Sequence, residues 1–123
     1  MSARELINTF TLRNVVYVAS IGGPNYKFGR TYDIKKRYVD HVTKNFRIFD
    51  LRIVEPTDNN VIVERLFNKE LKRMGILCKH TKHKELFYLD DESRLKEIHF
   101  LLKNIIEDNP SYNERLLRKY NIL

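Results

Sequence analysis

Val15-Val16-Tyr17-Val18-Ala19, then Ile21-Gly22-Gly23-Pro24-Asn25, then Tyr26-Lys27-Phe28-Gly29-Arg30: this stretch decides how the chain folds. The first run is rich in β-branched and aromatic residues and reads as a strand. The glycines and proline behind it are a strong turn signal. The third run reads as the return strand of a hairpin. Outward from it, Thr31 or Asp33 can cap a helix. Ile34, Tyr38 and Val42 recur at four-residue spacing and give that helix an apolar face. Arg37 and His41, also four apart, share a face of their own. Phe49, Leu51 and Ile53 alternate with Asp50 and Arg52, the pattern of a half-buried strand.

Further along, Pro56 and Asn59-Asn60 mark a loop. Val63, Leu66, Phe67 and Met74 have helical spacing, with Gly75 placed to end the helix. Ile76 to His80 and Glu85 to Leu89 read as two short strands around a basic turn. Asp91 or Ser93 starts a long helix lined by Leu95, Ile98, Leu102, Ile105 and Ile106. Asn109-Pro110-Ser111 stops it, and Tyr112 to Tyr120 forms a last helix. Residues 1–12 are a lead-in, strand or helix; 13–90 make the core; 91–123 are a helical extension packed on the same domain. The expected class is α+β, a small, mainly antiparallel sheet flanked by helices on one or both faces.

A chain of 123 residues is one domain's worth, and 42% hydrophobic with 32% charged residues is ordinary for a globular protein. Uninterrupted apolar runs are short, so no segment spans a bilayer, and no helix opposes a purely basic face to a strong apolar one. We therefore expect no membrane partner. The N-terminus leads into no run of signal-peptide length, and one cysteine, Cys78, fits a reducing compartment, so an intracellular protein is expected. The net charge of +7 favours polyanions, because neutralised phosphates release counterions. Arg30, Lys35, Lys36, Lys44, Lys69 and Lys72 flank the core elements and are candidate phosphate contacts, with Arg47, Arg73, Lys79, Lys82 and Lys84 beyond them. Taken singly, each is also an ordinary solvated side chain.

Tyr17 on the first strand, Gly29 and Thr31 on the second, and Arg37 with His41 on the following helix form an ordered set. Glu64 follows on a later helix. The set resembles the GIY-YIG nuclease superfamily over residues 13–90, and Glu85-Leu86-Phe87 resembles the segment that closes the core in its shorter viral and phage branches. The resemblance implies a DNA endonuclease with Tyr17 as general base or water-orienter and Arg37 on the phosphate. His41 would move a proton or hold the water, and Glu64 would ligate Mg²⁺ or Mn²⁺. These residue types suit phosphodiester hydrolysis, which needs an activated water, charge stabilisation and help for the leaving oxygen. The sequence departs from the pattern at Val15, where the family has glycine, and at Lys27, where it has its second tyrosine. Tyr26 lies next door, but a one-residue step along a strand turns a side chain to the other face. Lys27 is expected to place a charge beside Tyr17 and lower its pKa. Asn68 and Asn104 match the family's late asparagine by residue type only.

Two other readings stand beside this one: a nucleic-acid-binding module on the same scaffold without catalysis, and a protein-interaction domain. Tyr17 is also a plausible core aromatic, and Arg37, His41 and Glu64 plausible surface residues. Cys78, His80, His83 and Glu85 suggest zinc, but the spacing lacks the second ligand pair of a finger. The helix from Leu95 and the apolar end Ile122-Leu123 are candidate surfaces for a homodimer.

Overall fold

Two neighbouring strands on either side of the first hairpin complete a four-stranded sheet. The computed structural model describes residues 1–78 and 85–121. Strand β1 (Val15–Gly22) turns into β2 (Asn25–Thr31) through Gly22 and Gly23, whose φ angles of 113° and 55° only glycine adopts readily. Strand β3 (Asp50–Pro56) pairs with the free side of β1, and the three-residue β4 (Leu86–Tyr88) with the start of β2. The order is β3-β1-β2-β4 with every pair antiparallel, an α+β fold as expected. Among the described residues five α-helices accompany it: α1 (Ala3–Thr9), α2 (Ile34–Asp40), α3 (Asn60–Arg73), α4 (Leu95–Asp108) and α5 (Tyr112–Lys119). No helix among the described residues is long and apolar enough to cross a membrane.

Each face of the sheet is covered, so two cores form. On one face, Val16, Val18, Tyr26, Phe28 and Ile53 pack with Val63, Phe67 and Leu71 of α3 and with Ile98, Leu102 and Ile105 of α4. Phe28 meets Phe67 edge-on at 5.3 Å. Each such side chain contributes roughly 1.5–3 kcal/mol by leaving water. On the other face, Val15, Tyr17, Ala19, Leu51 and Val54 pack with Leu6 of α1 and Ile34 of α2. Tyr26 stacks on Phe87 in the first core, on the opposite face from Tyr17, so it does not substitute for the missing tyrosine.

Several local expectations change. The lead-in, expected as strand or helix, is a helix that opens with a capping box between Ser2 and Glu5. The alternation of Phe49, Leu51 and Ile53 breaks after Leu51. Val18 pairs with Ile53 but Ala19 with Leu51, so Arg52 is an extra residue, and Ile53 falls on the face opposite Leu51. On α2 the third inward position goes to His41, not Val42. His41 lies at i+7 from Ile34, where a helical stripe continues as well as at i+8, and its ring packs against Phe46 and Phe49 at 5.2 and 4.8 Å. The helix then widens into a π turn, His41–Asn45, closed by Phe46 N–H donating to the His41 carbonyl at 2.9 Å. Of the strand expected from Ile76 to His80, Leu77 bridges Phe87; Lys79 and His80 lie outside the described residues, as do Lys82, His83, Lys84 and the Ile122-Leu123 end.

Candidate active site

Tyr17 and Gly29 are direct cross-strand partners, and the phenol ring lies over the glycine. A Cβ built at position 29 would sit 2.6 Å from the Tyr17 hydroxyl oxygen and 2.8 Å from Cζ. Gly29 is therefore required for room, not for backbone conformation. Two residues earlier on β2, Lys27 lies on the same face as Gly29. Its side chain is 6% exposed, and the ammonium donates to the Phe28 carbonyl at 2.9 Å and to Glu85 Oε2 at 2.8 Å. Glu85 is delivered by the chain entering β4, where Phe28 N–H donates to the Glu85 carbonyl.

Helix α2 brings the next group. Asp33 caps it, accepting from Lys36 N–H at 3.1 Å, while Thr31 Oγ accepts from Asp33 N–H. Of the two residues expected as cap, the structure thus uses Asp33. Arg37, His41 and Asn45 follow at four-residue intervals. The Tyr17 hydroxyl is 3.2 Å from His41 Nε2, and Asn45 Nδ2 is 2.9 Å from His41 Nδ1. With the Asn45 amide oriented to donate, the neutral ring carries its proton on Nε2, toward the Tyr17 oxygen. From α3, Glu64 reaches within 4.0 Å of Arg30 Nε.

Tyr17, Lys27, Gly29, Arg30, Arg37, Glu64 and Glu85 enclose one polar cavity of about 220 Å³. Burial pushes the Tyr17 phenol up to about 12, against the lowering pull of the Arg37 guanidinium; Glu85 and Glu64 push it further up. The cation acting on Tyr17 is thus Arg37. Lys27, expected in that role, is instead engaged by Glu85. Burial likewise raises Glu64, with Arg30 opposing and Glu85 adding to the rise. Lys27 and Arg37 also act on Glu64 as opposing cations, but its partly buried carboxylate, in a polar cavity with room for water, is an oxygen ligand of the kind a hard divalent cation takes. Among the described residues no three potential ligands cluster, so such a site would rest on Glu64 with water and substrate oxygens. The same holds for zinc at Cys78: its proposed partners His80 and His83 lie outside the described residues.

The structure thus brings Tyr17, Lys27, Arg30, Arg37 and Glu64 around one cavity, with His41 behind Tyr17. Lys36 lines the adjoining depression; Lys35, Lys69 and Lys72 stand exposed on α2 and α3, and Lys44 points outward near Asp40. Asn68 lines a depression beside Glu64, whereas Asn104 is exposed on α4. Sequence reasoning gave no place in the site to Glu85 or Asn45. Asn45 had a signal, since it continues the Arg37–His41 spacing by one more turn. Glu85 entered only in the segment that closes the core and among possible zinc ligands; its pairing with Lys27 had no local signal, because the two lie 58 residues apart.

No curated protein and no solved structure matches the chain. The model of the T5orf172 domain matches residues 14–105, from the start of β1 to the last buried turn of α4. That domain is of phage type, related to nuclease families and compatible with a nuclease-like or DNA-binding role. Because the match takes in both central strands, every residue around the cavity and the larger core, the chain belongs to the T5orf172 domain family.

Proposed function

We propose that this chain is a DNA endonuclease of the GIY-YIG type, hydrolysing phosphodiester bonds with the aid of Mg²⁺ or Mn²⁺. One observation carries the reading: side chains from four separated elements, Tyr17, Lys27, Arg37 and Glu64, converge on a single polar cavity. Arg37 offers paired N–H donors to phosphate oxygens and keeps its charge at any working pH. Lys27 adds a second cation held in a fixed position, where charge builds up in the pentacovalent transition state. With its pKa near 12, Tyr17 is a neutral phenol at working pH, so it orients the attacking water better than it deprotonates it. His41 Nε2, 3.2 Å from the Tyr17 oxygen, would fix the direction of that hydroxyl. Glu64 would hold the metal ion, which when bound supplies charge stabilisation at the leaving oxygen.

The test is nicking and linearisation of plasmid by the purified chain in Mg²⁺ or Mn²⁺, beside Tyr17→Phe, Arg37→Ala and Glu64→Ala. Cleavage that all three substitutions abolish is the expected result. Cleavage that survives them refutes the assignment. The high pKa of Tyr17 also favours a second reading, a DNA-binding module without catalysis. It predicts salt-sensitive binding and no cutting of plasmid, branched or single-stranded DNA.

A further inference from the structure

Beside the cavity lies a larger depression of about 400 Å³, between β2 and the π turn. Arg37 lines both, so whatever fills the depression is a direct neighbour of a phosphate on Arg37. Its chemistry differs from that of a phosphate groove. Lys36 and Arg37 are matched by Asp33 and Asp40, whereas a backbone track carries an excess of cations. The Asn45 amide adds a donor and an acceptor. One wall is Tyr32, a residue 64% exposed although the residues on both sides of it, Thr31 and Asp33, are partly covered. A charge-balanced hollow with mixed donors and acceptors and an accessible aromatic ring suits a neutral nucleobase: the edge meets the polar groups and the face meets the ring.

We propose that this depression is a nucleoside subsite, which takes the base adjoining the phosphate held by Arg37 and stacks it on Tyr32. A base inside a duplex has both faces covered by its neighbours, so only an unpaired base fits. This inference rests on the nuclease reading for the position of the phosphate, and it deepens that reading by naming the substrate class. The preferred DNA has an unpaired nucleotide beside the cut, as in a single strand, a gap or a flap.

The test needs no cleavage. Single-stranded oligonucleotides carrying 2-aminopurine, and the same sequences fully paired, are titrated in EDTA with the full chain and with Tyr32→Ala and Tyr32→Phe. Since Tyr32 is largely exposed, neither change endangers folding. Stacking quenches the fluorophore in the wild type and in Tyr32→Phe. Tyr32→Ala loses the quench and binds the single strand about tenfold more weakly, with duplex affinity unchanged. Equal quench and affinity in Tyr32→Ala overturn the subsite, as does an absence of binding to every oligonucleotide. A chain that binds and quenches through Tyr32 but never cuts keeps the subsite and loses the nuclease reading. A chain that cuts, with Tyr32→Ala unaltered in binding, does the reverse.

Discussion

Gly29→Ala tests the geometry of the cavity most directly. The added Cβ would lie 2.6 Å from the Tyr17 oxygen, whereas ordinary contact begins near 3.4 Å, so the ring or the strand must yield by about 0.8 Å. Neither yields freely. Tyr17 is fully buried between the sheet and His41, with Phe49 edge-on at 6.3 Å, and Gly29 is paired across β1. Overpacking of this kind costs about 1–3 kcal/mol. The phenol is also part of the proposed site, where a misplacement near 1 Å costs about a hundredfold in rate. Urea denaturation reads the first effect and single-turnover plasmid nicking the second. A double variant sharpens the experiment. In Tyr17→Phe/Gly29→Ala the nearest clash is gone while Cζ remains at 2.8 Å, so part of the lost stability returns and the two changes are not additive. Wild-type stability in Gly29→Ala, or strict additivity in the double variant, would refute the close approach. Full activity in a Gly29→Ala variant that has lost stability would remove Tyr17 from the reaction.

Other outcomes follow from the same geometry. The Tyr17 phenol titrates near 12, so the difference in tyrosinate absorbance between wild type and Tyr17→Phe stays flat to pH 10; a phenolate appearing below that contradicts the burial argument. Because this pKa is raised above its unfolded value near 10, its contribution to stability is whole below pH 10 and is lost as the pH climbs toward 12. Lys27 and Glu85 should be unequal partners: Glu85→Gln leaves a buried ammonium and costs about 2 kcal/mol, whereas Lys27→Met leaves a half-exposed carboxylate and costs about 1 kcal/mol or less, an order that chemical denaturation checks. Glu64, raised by burial, stabilises the fold in its neutral form below its ordinary pKa and loses that contribution as pH rises through the raised one. Metal-free Glu64→Gln should therefore melt higher than wild type at pH 7 but not at pH 4. Added Mn²⁺ should raise the melting temperature of the wild type alone.

Much of the scaffold was legible because it is written in short-range patterns. The first hairpin needs only a β-rich run, a glycine turn and a second run. The α3 and α4 stripes need only helical spacing. The pairing of Tyr17 with Gly29 follows from the hairpin register, and with it the face that Lys27 shares and Tyr26 does not. What failed depends on contacts between distant segments. Arg52 became a bulge because both faces of β3 are buried, so Ile53 gains by turning away from Leu51. His41 and Val42 both satisfy the helical stripe, and the aromatic rings of Phe46 and Phe49 decide between them. The partner of Lys27 could not be read locally at all. A lysine on a strand between two aromatic residues announces that its charge must be met, not by which carboxylate.

The division of the molecule into two cores has a kinetic consequence. The face toward α3 and α4 holds thirteen fully or nearly buried apolar residues among those described, the face toward α1 and α2 eight. The thinner side carries Tyr17, His41 and Arg37. Amide hydrogens of α1, α2 and the π turn should exchange through partial openings that leave the thicker side and the β1–β2 ladder intact. The site can then breathe, admitting a nucleotide and releasing a product, at a small fraction of the free energy of global unfolding. Slow exchange in β1 and β2 keeps the Tyr17–Gly29 register fixed through each such opening.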